Sequence, residues 1–103
     1  MDALTKLQQW YRSRCDGDWE HSLGITIGTL DNPGWSFDVD LRDTPLESKS
    51  FKEHSYGVGS GATTSGDDWL VCKVEQHVFK GRGGPFKLQE MIEVFLDWTE
   101  RNS

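Results

Sequence analysis

The sequence predicts an α+β fold: an antiparallel sheet of four to five strands, meander-like, with an N-terminal and a C-terminal helix packed on one face. Three observations carry this. Apolar residues recur at helical spacing at both ends of the chain, and short runs between them alternate with a period of two. Glycine, proline and asparagine punctuate those runs, and the short connections favour pairing between neighbours in sequence.

The first helix is expected over residues 2–15, with Asp2 as N-cap and Leu4, Leu7, Tyr11 and Cys15 on one face, bordered by Trp10. Gly17 ends it, because glycine tolerates the left-handed conformation found after helices. A first strand is expected from Glu20 to Thr29, with Leu23, Ile25 and Ile27 alternating against Gly24, Thr26 and Gly28. Leu30-Asp31-Asn32-Pro33-Gly34 is turn chemistry, with Gly34 expected at positive φ in a type II turn. Trp35, Phe37, Val39 and Leu41 then alternate with Ser36, Asp38, Asp40 and Arg42, which is the clearest strand pattern in the chain.

A third strand at a sheet edge is expected within Leu46–Tyr56. Gly57–Asp68 reads as a Gly/Ser/Thr-rich connection, since it lacks the GxxxxGK[ST] spacing of a phosphate loop. A strand follows over Trp69–Glu75, with Leu70, Cys72 and Val74 on the core face. Gln76-His77 turns it into a short return strand, Val78–Lys80. Gly81-Arg82-Gly83-Gly84 is expected to break the sheet. The last helix runs from Pro85 to Glu100, its stripe formed by Leu88, Met91, Ile92, Phe95 and Leu96 and widened by Val94 and Trp98. Two helices on one face leave the other open, and that face should carry Ser36, Asp38 and Asp40, with Thr26 and Trp69 as further members.

At 103 residues the chain suits one domain, 1–103, with five Trp and five Phe to furnish a small core. No apolar run reaches a membrane span, and the N-terminus lacks a signal-peptide pattern, so a soluble, non-secreted protein is expected. In a reducing compartment Cys15 and Cys72 are expected as free thiols. The net charge is −6, and residues 16–47 hold Asp16, Asp18, Glu20, Asp31, Asp38, Asp40, Asp43 and Glu47 against Arg42 alone. Such a patch repels nucleic acid and anionic membrane and favours encounter with a basic partner. A solvated surface that only aids solubility accounts for the same charges.

No catalytic constellation emerges. His21, His54 and His77 fall in no metal-ligand spacing, there is no GxSxG elbow, and Asp16, Asp18 and Glu20 lack the remaining ligands of a calcium loop. Asp38 and Asp40 could form a carboxylate pair for acid–base work, although a solvated strand face is the commoner origin of such a pair. Catalytic residues, metal and cofactor are therefore all expected to be none.

Cys-Asp-Gly-Asp-Trp-Glu-His (15–21), Gly-Thr-Leu-Asp-Asn-Pro-Gly-Trp (28–35) and Phe-Leu-Asp-Trp (95–98) resemble the immunity protein 53 family of bacterial polymorphic toxin systems. Its marks stand here as Trp19-Glu20 and Pro33-Gly34-Trp35. The resemblance implies an α+β protein, cytoplasmic and without enzymatic activity, that binds and inhibits a cognate toxin domain. It supplies no catalytic residues.

An acidic surface suits a basic toxin such as a nuclease. Asp16, Asp18, Glu20, Asp38 and Asp40 are the expected electrostatic contacts, with Trp69 as an aromatic anchor. Trp19, Pro33, Gly34 and Trp35 are expected to serve folding, and Glu20 is a candidate backbone clamp as well as a contact. The chain is expected as a monomer or weak homodimer. Two other classes fit the same residues: a small metal-assisted hydrolase using the acidic hairpin and His21, and an adaptor pairing through an exposed strand edge.

Overall fold

The computed structural model describes residues 1–58 and 67–102. Along the chain run α1 (Ala3–Arg14), α2 (Trp19–Ser22), β1 (Ile25–Leu30), β2 (Gly34–Asp40), β3 (His54–Tyr56), β4 (Leu70–Glu75), β5 (Val78–Gly83) and α3 (Leu88–Arg101). The five strands form one antiparallel sheet in the order β1-β2-β5-β4-β3. The expected α+β architecture is the one observed. The strand order departs from a simple meander at one point: β2 connects to the far edge, and the run β3–β4–β5 returns to close against it.

α1 begins where its cap demands, with the Asp2 carboxylate accepting the Thr5 N–H at 2.8 Å. Its buried face is rotated from the expected one. Ala3 and Leu7 are buried and Trp10 packs on the core, while Leu4 is 58% and Tyr11 38% exposed. The reason is the neighbour: α1 leans on α3, with the Trp10 ring 5.0 Å from that of Phe95 in an edge-to-face contact. Burial therefore follows positions 3, 7 and 10, and Leu4 and Tyr11 are left at the rim.

The expected strand over Glu20–Thr29 is two elements. Residues 19–22 form the short α2, and β1 starts only at Ile25, after Gly24 at φ 101°. The Asp16 and Glu20 carboxylates bind the backbone N–H groups of this corner, which a strand would have left to a ladder. Gly17 does adopt positive φ (96°), although α1 already ends at Arg14, with Cys15 as its C-cap.

β2 behaves as expected, with Phe37, Val39 and Leu41 fully buried and the intervening residues half-exposed. At its start Gly34 is not among the positive-φ residues. Its need is proximity, because a Cβ there would collide with the Gly83 carbonyl oxygen.

The third strand is only His54–Tyr56, and it does lie at an edge. Ahead of it the chain turns rather than extends. The Thr44 hydroxyl donates to the Leu41 carbonyl (2.7 Å) and accepts from the Leu46 N–H (3.1 Å). Leu46 is buried, and Phe51 packs edge-on against Phe79 and Trp98. The crossing from β2 to β3 therefore passes on the helix side of the sheet, anchored by the Trp98 indole N–H on the Ser50 carbonyl (3.0 Å). The connection expected over Gly57–Asp68 lies mostly outside the described residues, as does most of the GVGSG stretch weighed as a phosphate loop.

Gln76 and His77 make the tight β4–β5 turn at φ 53° and 64°. The expected break at Gly81–Gly84 is not there: β5 continues to Gly83 and is the central strand. Its glycines admit α3. A Cβ at Gly81 would run into the Met91 side chain, and one at Gly83 would come within 3.0 Å of Lys87 Cβ and Met91 Cε. After a turn closed by Lys87 N–H on the Gly84 carbonyl, α3 starts at Leu88 and buries Met91, Ile92, Phe95, Leu96 and Trp98. Phe95 lies among the rings of Trp10, Phe37, Phe79 and Trp98, which is the centre of the core. No helix among the described residues is long and apolar enough to cross a membrane.

Candidate functional site

Two regions carry the residues singled out by the sequence. The first is the corner between α1 and β1. The Asp16 Oδ1 accepts from the N–H groups of Asp18 (2.9 Å) and Trp19 (3.0 Å). The Glu20 carboxylate accepts from Asp16 N–H (2.9 Å) and Gly17 N–H (2.8 Å). These bonds favour the ionised forms. Asp16 is held below the usual carboxylate range by the Trp19 and Asp18 amides. Glu20 is lowered by its own amide and then by those of Asp16 and Gly17, against a counteracting cost of desolvation.

Beneath the corner Trp19 is buried, edge-on to Trp10 at 5.8 Å. Trp19 and Glu20 thus fix the corner from below and within. Asp16 and Asp18 also line a groove of about 390 Å³ with Arg42, Asp43 and Glu47, which brings five charged groups from two segments to one place.

The second region is the open sheet face, where Asp38 and Asp40 do point away from the helices. The register surrounds them with cations. Asp38 sits opposite Lys80, and Ser36 opposite Arg82. Arg82 Nη1 reaches Asp38 Oδ1 at 2.6 Å. Arg42 grips Asp40 with Nη2 to Oδ2 at 2.7 Å and Nε to Oδ1 at 3.0 Å, and its backbone N–H adds a third bond. The Arg42 guanidinium is the main reason that the Asp40 carboxyl sits below its ordinary range. Glu75 is flanked by Lys80 (3.0 Å) and Lys73 (3.7 Å).

On the outward rows of β2, β4 and β5, then, Asp38 meets Arg82 and Glu75 meets Lys73 and Lys80, while Asp40 is held by Arg42. The expected acidic sheet face is a mixed one. Sequence reasoning placed the acids on one row with Arg42 and missed Arg82, because β5 was taken to end at Lys80, which left Arg82 outside the sheet.

Trp69 does not belong to either surface. It is only 4% exposed, so it offers no anchor, and its indole N–H has no partner among the described residues. The Pro33-Gly34-Trp35 mark is structural in its contacts. Trp35 is half-buried and donates its indole N–H to the Pro85 carbonyl at 3.0 Å, tying β2 to the turn before α3.

A third cluster had no sequence signal. The Tyr56 hydroxyl donates to the Glu90 carboxylate (2.8 Å), and Lys87 Nζ pairs with Asp68 at 2.8 Å while lying 5.2 Å from the Tyr56 ring. Its members come from three separate segments, so only the fold brings them together.

Neither thiol is set up as a nucleophile. Burial pushes the Cys72 pKa up to about 12, and the Cys15 S–H donates to the Tyr11 carbonyl at 3.3 Å. Both are free cysteines. His21, His54 and His77 are exposed, and no group of three or more His, Cys, Asp or Glu among the described residues is placed to hold a metal ion.

A family model described as immunity protein 53 matches residues 4–100. No curated protein matches the chain, and no solved structure does.

Proposed function

Because the chain belongs to the immunity protein 53 family, we propose that it works in the cytoplasm, binding a cognate toxin domain and blocking it by occupancy rather than by chemistry. The observation that carries this reading is the extent of the family match, residues 4–100, which takes in every helix and strand described above except the first residue of α1 and the last of α3.

The toxin is proposed to be basic, as a nuclease built to hold phosphates would be. The α1–β1 corner supports the acidic half of that match: Asp16 and Asp18 share a groove with Asp43 and Glu47, against the single cation Arg42. Asp38 and Asp40 contribute less long-range field than their number suggests, because Arg82 and Arg42 already pair with them. Glu20 acts by holding the corner in shape.

Co-expression with the toxin domain encoded next to the chain, read as growth rescue and as a one-to-one complex on gel filtration, tests the proposal. Rescue with a stable complex is the expected result. A folded protein that neither binds nor rescues would overturn it.

A further inference from the structure

Each outer strand of a sheet presents unpaired backbone groups, and proteins commonly blunt such edges with charge, proline, bulges or brevity. At one edge of this sheet β3 is blunted by being three residues long. The opposite edge, β1, has six residues, ITIGTL, with neither a charge nor a proline. The Asp40 N–H donates to the Gly24 carbonyl at 3.0 Å, and Ile25 sits opposite Val39. With the alternation of an antiparallel ladder, this turns the backbone N–H and C=O groups of Ile25, Ile27 and Thr29 outward.

Side chains beside that edge are apolar and open. Ile27 is 42% exposed on the helix side of the sheet. A groove of about 320 Å³ lies between α1 and the start of β1, lined by Leu7, Tyr11, Leu23 and Ile25, with Glu20 at its margin. Tyr11 and, one turn before Gln8 on the same side of α1, Leu4 are the exposed apolar residues of that helix. Open ladder groups and an apolar wall thus lie side by side along one rim.

We infer that the β1 edge and the α1 groove receive an extended segment of the toxin domain, which adds to the sheet as a sixth strand. This rests on the toxin-binding reading above and gives it a place. Main-chain bonds to Ile25, Ile27 and Thr29 supply the pairing, and alternate apolar side chains of the segment fill the space beside Leu4, Tyr11 and Ile27.

Charge selects this occupant over a second copy. Glu20 stands at one end of the edge and Asp31 at the other, and the chain carries a net charge of −6. Pairing two β1 strands antiparallel about their centres would set Asp31 of one copy beside Gly24 and Glu20 of the other, acid against acid. A segment with basic residues at its ends meets both.

The test uses the full chain and a catalytically inactivated form of the toxin domain encoded next to it, with amide hydrogen exchange read residue by residue. Binding should slow exchange at Ile25, Ile27 and Thr29 by about tenfold or more, since free edge amides become bonded. An Ile27→Lys variant, whose change sits at a half-exposed position, should keep its melting temperature and lose about tenfold or more in affinity.

Rescue and complex formation without protection at these amides, or with Ile27→Lys binding like the unmodified chain, would overturn the strand-addition inference and leave the immunity reading standing. A chain that neither rescues nor binds would overturn both. Protection of the same amides that grows with concentration of the chain alone would assign the edge to self-pairing and overturn the toxin segment as its occupant.

Discussion

Single positions divide into those that tolerate change and those that do not, and the glycines make the division measurable. At Gly34 a Cβ would meet the backbone carbonyl of Gly83, which cannot move without breaking the centre of the sheet. At Gly81 it would meet the flexible Met91 side chain. Gly34→Ala is therefore expected to destabilise by about 3 kcal/mol and Gly81→Ala by about 1 kcal/mol, within the range for overpacking. Urea midpoints at constant slope check the ranking. The glycines were visible as turn signals, but their real reason was not, because it lies in residues distant in sequence.

The corner carboxylates, together with Asp40 on the sheet face, give a second prediction. Asp16, Glu20 and Asp40 are all depressed in the folded state. In the window between folded and unfolded values the unfolded chain binds more protons. Their stabilisation is therefore complete above the ordinary carboxylate range and is lost as pH falls through the folded values. Urea midpoints measured from neutral pH down to about pH 3 should fall on acidification, and Glu20→Gln should make that fall shallower.

Elements were legible to the extent that their own periodicity determines them. The alternation at Phe37–Leu41 and the α3 stripe from Met91 to Trp98 reappear, with Trp35, Leu88 and Val94 only partly buried at their margins, since both faces are decided by burial against a single layer. α1 was legible as a helix and wrong in its rotation. Leu4, Leu7 and Tyr11 keep helical spacing, but a helix that leans on another helix and ends beside a sheet edge buries a narrower line than its apolar residues offer. Leu7→Ala is expected to cost about 2–4 kcal/mol and Leu4→Ala no more than about 0.5 kcal/mol. Equal losses in chemical denaturation would restore the rotation that the spacing suggested. The end of β5 and the brevity of β3 were hidden for another reason. Glycine in a strand and polar residues at an edge resemble loops until the packing partner is known.

The molecule as a whole joins two kinds of surface. One is the acidic corner, proposed above as the surface that meets a basic partner, and the other is the mixed-charge sheet face, whose carboxylates are paired with Arg42, Arg82 and lysines. Reversing Asp18 and Glu47 together to lysine is expected to slow association with a basic toxin domain several-fold at low salt and hardly at all in high salt. Stopped-flow mixing at two ionic strengths would show it, and a rate independent of salt would dissociate the charge from the encounter. The charge imbalance was readable from composition, but its location was only half readable, since Arg82 enters the sheet through a strand that the sequence seemed to end.

The seam between β2 and β5 has a further consequence. Hairpins β1–β2 and β4–β5 each close over a short turn, but Trp35 meets Gly83 and Asp40 meets Val78 only after the crossing on the helix side is in place. The seam is thus a non-local line between two hairpins that close locally, and Phe37 and Phe79 meet across it edge to face. Until that seam closes, a ribosome that has released only the first half of this chain holds a hairpin with no core beneath it.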